Sequence, residues 1–133
     1  MNFLLDTDTC VCWLRGNSLV RDRFAAVGTE SSGVSVITLA ELRYGANCSS
    51  RPEANHQAID DFISGIPVLG IDQDIVRTFA DVKAQLRKQG SLIEDLDLLI
   101  AATARTHGLI LVTNNVDHYS RIPGLLLENW INP

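Results

Sequence analysis

Short apolar bursts alternate with longer stretches of helical periodicity along the whole chain. Phe3-Leu4-Leu5, Val34-Ser35-Val36-Ile37, Val68-Leu69, Leu109-Ile110-Leu111-Val112 and Leu125-Leu126-Leu127 are brief and rich in branched residues. Polar or turn-forming residues flank them, as expected of buried strands. The clearest helix pattern runs from Asp72 to Gln89, where Ile75, Phe79, Val82 and Leu86 fall on one face. Asp72 or Asp74 is suited to cap its start, and Gly90 follows its end. A second stretch, from about Asp95 to His107, is apolar almost all round and stops at Gly108, so it reads as a helix buried on most sides. Thr9–Arg15, Leu19–Val27, Leu39–Asn47 and Glu53–Ile63 complete the helical set. Strands alternating with helices imply right-handed crossovers and a parallel sheet covered on both faces. The expected fold is α/β, a three-layer α/β/α sandwich with a parallel sheet of about five strands.

The chain has 133 residues, which suits one domain spanning 1–133, and no repeat, low-complexity tract or Pro/Gly/Ser-rich linker divides it. Hydrophobic residues make up 46%, too many for a disordered chain, and no apolar run is long enough to span a bilayer. The opening Met1-Asn2-Phe3-Leu4-Leu5-Asp6 lacks the basic start and small-residue cleavage site of a secretory leader. Three cysteines, Cys10, Cys12 and Cys48, suit reduced thiols packed as small hydrophobes. The expected compartment is the cytoplasm, with no membrane partner.

A net charge of −5 is the opposite of the basic footprint of a simple nucleic-acid binder. The position of the acids changes that picture. Sites in open parallel sheets form beyond the carboxyl ends of the strands. The first strand delivers Asp6 with Thr7 and Asp8. The second delivers Thr38 and, three residues on, Glu41. The fourth delivers Thr113, Asn114 and Asn115, then Asp117 in a loop, while Asp97 lies in the first turn of the apolar helix behind Glu94 and Asp95. Asp6, Glu41, Asp97 and Asp117, distant in sequence, are thus expected at one rim. Gathered carboxylates repel unless neutralised, and with no His or Cys among them an oxygen-preferring Mg2+, or Mn2+ in its place, is the natural counter-charge. Such ions support phosphodiester cleavage. Each acid also has a purely structural reading: Asp6 or Asp8 as a helix cap, Glu41 in a capping box with Thr38, Asp97 as a partner of the helix dipole.

Four blocks in order, Phe3-Leu4-Leu5-Asp6-Thr7-Asp8, Ser35 to Gly45, Asp97-Leu98-Leu99-Ile100-Ala101-Ala102 and Val112-Thr113-Asn114-Asn115, resemble the signature blocks of PIN-domain toxins of the VapC type. The ending from Ile122-Pro123-Gly124 to Glu128-Asn129-Trp130 is similar as well. The resemblance spans the chain. It implies an endoribonuclease that cuts tRNA or another translation-related RNA, forms a homodimer and is held inactive by a VapB-type antitoxin. Under it, Asp6, Glu41 and Asp97 are the main acids and Asp117 stands where the family has a fourth, more variable one. Asp6, Asp97 and Asp117 are then the expected metal ligands, with Thr7, Thr113 and Asn114 as hydrogen-bonding support and Glu94 as an extra acid. His56, His107 and His118 share no spacing and receive no chemistry. Two rivals fit less well. A haloacid dehalogenase-type phosphatase also opens on Asp-x-Asp but needs a Lys after a later strand, and Lys83 and Lys88 lie within a helix. A receiver-like signalling module needs an Asp ending its third strand, where Val68-Leu69-Gly70 supplies none.

Overall fold

The computed structural model describes residues 1–133. In chain order the elements are β1 (Phe3–Leu5), α1 (Thr7–Leu14), α2 (Ser18–Val27), β2 (Ser32–Ser35), α3 (Val36–Asn47), α4 (Pro52–Ile63), β3 (Val68–Leu69), α5 (Gln73–Lys88), α6 (Asp95–His107), β4 (Ile110–Val112), α7 (Val116–Tyr119) and β5 (Leu126–Glu128). The five strands form one sheet in the order β3-β2-β1-β4-β5 with every pairing parallel. From β1 the chain adds β2 and β3 on one side and β4 and β5 on the other. The reversal of strand order therefore falls between β1 and β4, and a crevice opens beyond their carboxyl ends.

The pleat of β1 divides the core. Phe3 and Leu5 point to one face with Cys10, Val20, Phe24, Leu42, Ile59, Phe62 and Trp130, so α1 to α4 cover that side. Leu4 points to the other with Val82, Leu86, Leu98, Ile100 and Ala101, so α5 and α6 cover the second. This period-two alternation in a doubly covered sheet gives the expected α/β/α layering.

Several local features match the sequence pattern. Asp72 caps α5, its carboxylate accepting from the Ile75 N–H at 2.9 Å, and α6 ends at Gly108 in the left-handed conformation (φ 66°). Two features differ. The second strand lies at Ser32–Ser35, two residues earlier than the apolar run, and Val36 and Ile37 open α3 instead. Ser35 ends the strand and caps the helix, accepting from the Ile37 N–H at 3.1 Å, so the helix begins before its β-branched residues can join the ladder. Thr38 is consequently a buried residue of that helix, and the capping box that the Thr38–Glu41 spacing offered as an alternative does not form. The second difference is α7. It places Asp117 on a four-residue helix rather than in a loop. The cysteines are all free, but only Cys10 is buried; Cys48, expected inside, is exposed at the end of α3. No helix is long and apolar enough to cross a membrane.

Candidate active site

Asp6 is the first residue beyond β1 and the N-cap of α1. Its backbone N–H donates to the Val112 carbonyl at 3.0 Å, tying it to β4, and its carboxylate accepts from the Thr9 N–H at 2.9 Å. The Thr9 hydroxyl donates to the same Val112 carbonyl at 3.2 Å. Asp6 is only 5% exposed. Burial pushes its carboxyl pKa above the usual range. The Thr113 hydroxyl and the Thr9 N–H and hydroxyl favour the ionised form, and the Asp8 charge opposes it.

The early start of α3 brings Glu41 into the crevice from the β2 side. The Thr7 hydroxyl, in the first turn of α1, donates to Glu41 Oε1 at 2.6 Å, with the Thr38 hydroxyl 3.4 Å away. A hydroxyl bonded to a carboxylate at that distance makes a strong, directional restraint. Asp97 enters from the other layer in the first turn of α6, where the helix dipole favours an acid. Partial burial raises its pKa. Nearby His118 and a hydrogen bond with Tyr119 lower it, while Glu94 and Asp8 raise it. Burial and the charges of Asp97 and Asp6 push the Tyr119 phenol far above its ordinary range, so it remains protonated.

These groups enclose a cavity of about 90 Å³ lined by Asp6, Thr7, Asp8, Glu41, Asp97, Asn115 and Tyr119. The structure thus brings together Asp6, Glu41, Asp97 and Thr7 as expected, and adds Asp8, Asn115 and Tyr119. It does not bring Asp117, which is exposed on α7 and outside the cavity lining. Asn114 is also turned away: its side-chain oxygen accepts from Asn129 and Asn132 at 3.1 and 2.6 Å, fastening the C-terminal segment. Thr113 is buried beside Asp6 and also accepts from the Asn115 N–H at 3.0 Å. Glu94 holds the N-cap position of α6 without a side-chain capping bond and lies outside the lining, though Asp97 senses its charge. His118, given no chemistry from sequence, has Nε2 at 3.7 Å from Asp97 Oδ2. Asp8 stood in the Asp6-Thr7-Asp8 run, three residues beyond the strand, where sequence left it equally readable as a cap. Asn115 stood in the polar run after the fourth strand without a role of its own, and nothing in the local pattern singled out Tyr119 or His118.

Four carboxylates line this cavity and no Lys or Arg does. The ion pairs of the chain lie elsewhere, apart from His118 and Asp97. The all-oxygen donor set fits a hard divalent cation. No three Asp, Glu, His or Cys side chains close tightly enough to form a complete cage. Mg2+ ordinarily keeps several waters and takes one or two carboxylates from the protein, so an open half-shell is compatible with it.

The PIN-domain family matches residues 3–125 of this parallel-sheet fold, and the chain belongs to that family. It is 37% identical to the tRNA(fMet)-specific endonuclease VapC of Salmonella typhimurium, over 98% of both chains, and 39% identical to ribonuclease VapC2 of Haemophilus influenzae, over 98% of this chain and 99% of that one. Among solved structures, the DNA-bound VapBC of S. typhimurium superposes with a TM-score of 0.93 at 37% identity, covering 98% of each chain. VapBC2 of Rickettsia felis bound to a promoter DNA fragment gives 0.91 at 32% identity, covering 98% and 99%. Within the family, this protein is a ribonuclease of the VapC type.

Proposed function

We propose that this protein is a divalent-metal-dependent endoribonuclease toxin, using Mg2+ or Mn2+, that acts in the cytoplasm on tRNA or another translation-related RNA. The observation that carries the reading is the set of four carboxylates around one small cavity with no basic residue in its lining. Burial already raises the pKa of two of them, Asp6 and Asp97, so the site lacks a positive charge that a cation would supply.

Asp6 and Asp97 would hold the cation, with Asp8 also in the cavity lining. A bound divalent ion supplies Lewis acidity, acidifying water and stabilising charge on the scissile phosphate. Glu41, oriented by the Thr7 hydroxyl, accepts the proton of the attacking water, and Tyr119 and Asn115 offer hydrogen bonds within the cavity. Attack by water on phosphorus leaves a 5'-phosphate and a 3'-hydroxyl and does not use the 2'-hydroxyl of the RNA.

The inhibitor in this reading is a VapB-type antitoxin, in line with the VapBC complexes among the similar structures. A groove of about 290 Å³, apolar along Val11, Leu14, Leu42, Ala46 and Ile59 and polar at Arg15, Ser49 and Asn55, shares Glu41 with the acidic cavity. A tail lying there is placed to set an Arg or Lys against the carboxylates, competing with the cation for the same charge. A homodimer belongs to the same reading.

The test is to incubate purified, antitoxin-free protein with total RNA, with and without Mg2+, alongside Asp6→Asn. New 5' ends are expected only with wild-type protein and divalent cation. Cleavage that survives chelation, or persists in Asp6→Asn, overturns the proposal, and sequencing the ends identifies the target.

A further inference from the structure

The short helix α7 presents two consecutive polar residues in opposite ways. Asp117 faces solvent, whereas His118 turns inward. The His118 side chain is 21% exposed and its ring meets Tyr119 edge-on, centroids 5.3 Å apart. Its Nε2 is wholly buried and has no hydrogen-bond partner. It is the one buried side-chain nitrogen or oxygen of the chain left in that condition. Buried polar atoms without partners are rare and call for a reason. The group facing this one is Asp97 Oδ2, at 3.7 Å. That is too long for a hydrogen bond, and a shift of about 1 Å closes it to charge-assisted length. Bonds of this kind in catalytic sites are commonly long without substrate and tighten on loading.

We infer that His118 is a positioning residue for Asp97: a proton on Nε2 is donated to Oδ2, holding the carboxylate in the orientation that receives the cation. The inference rests on the metal-dependent reading proposed above and deepens it. It gives a role beside Asp97 to His118, where sequence had looked to its neighbour Asp117 as a metal ligand in a loop. His118 and Tyr119, adjacent on one four-residue helix, then both neighbour Asp97. Hydrogen-bonding partners behind a ligating carboxylate set its orientation, and their loss typically costs about 10–100-fold in metal affinity. The alternative is that His118 serves only as an aromatic spacer against Tyr119.

Two substitutions separate these roles. His118→Phe keeps the packing and removes the donor; His118→Gln keeps a donor in nearly the same place and removes the ring. Mn2+ binding to the isolated protein, measured by electron paramagnetic resonance without RNA, is expected to weaken roughly 10–100-fold in His118→Phe and to recover most of the loss in His118→Gln. Unchanged Mn2+ affinity in His118→Phe, with a normal melting temperature, overturns the inference. A second measurement needs no metal. In metal-free protein, long-range proton–nitrogen NMR is expected to show a proton held on His118 Nε2, and Asp97→Asn to release that preference to a mixture of tautomers. A ring that does not respond to Asp97→Asn also overturns the inference. Failure of the wild type to bind Mn2+ at all refutes the metal-dependent reading instead, and the tautomer measurement then decides the His118–Asp97 contact on its own.

Discussion

Asp6 carries two duties whose requirements conflict. As the N-cap of α1 it needs only an oxygen acceptor, which Asn supplies as well. As a buried carboxylate it is held in a place where ionisation is penalised, and Asp97 shares the penalty in milder form. The folded protein therefore binds these two protons more tightly than the unfolded chain does. Stability of the metal-free protein is favoured below the ordinary carboxyl value of 3.8 and declines as pH rises from there through the raised native values. Asp6→Asn is accordingly expected to raise the melting temperature of metal-free protein by a few degrees at neutral pH, with the gain vanishing in acid, while cleavage is lost. Thermal melts at acid and neutral pH check this; a destabilised Asp6→Asn at neutral pH would show that the cap, rather than the charge, dominates. A buried carboxylate whose ionisation is penalised is a candidate functional group on physical grounds. At this scale the sequence was informative about Asp6, Glu41 and Asp97, since their elements were legible. It misplaced Asp117 and Asn114, because the direction of a side chain on a four-residue helix or a strand-end turn depends on what packs beside it.

Helices α1, α3 and α6 each deliver a chemical group from the first or second turn, so the accuracy of the site depends on where each helix starts. Helix α6 was readable to the residue. Its apolar run from Leu98 to Ala104 has to be buried, and Gly108 ends it with a positive φ that disfavours every other residue type. A Cβ added at Gly108 meets nothing within 4 Å, so its cost is backbone strain alone. Gly108→Ala is expected to destabilise the protein by about 1 kcal/mol, lowering the melting temperature by about 3–5 °C, with cleavage unchanged. A neutral result in a thermal melt would mean that the turn relaxes to negative φ. Helix α3 was legible in existence but not in its start. Ser32 and Ser35 are fully buried in a strand whose polarity disguises it, and their ladder bonds are visible only once β1 and β3 lie alongside. At Gly33 a Cβ would come within 2.7 Å of the Met1 sulfur, the end of a flexible side chain able to swing aside, and within 3.3 Å of the less yielding Pro67 carbonyl.

For the whole molecule, charge is the feature that function has to overcome. Sixteen Asp and Glu stand against eleven Lys and Arg, and Arg23, Arg43 and Lys83 are already paired with Glu128, Asp60 and Asp95. An acidic cavity at the reversal point of the sheet repels a phosphate backbone unless a cation intervenes. Metal-free Asp6→Asn/Asp97→Asn protein is therefore expected to bind RNA several-fold more tightly than metal-free wild type, with the gap narrowing at high salt; fluorescence anisotropy reads both. Equal affinities would place the RNA contact away from the cavity. The alternation of strands and helices, the burial of α6 and the four signature blocks were written in the order of residues, because hydrophobic periodicity and chain punctuation are local properties. The tertiary structure alone decided which acids meet. Asp8 came to line the cavity and His118 to lie beside Asp97, while Asp117 and Asn114 turned away, through the angles at which short helices and strand ends pack against the sheet, and those angles are set by contacts between residues far apart in the chain.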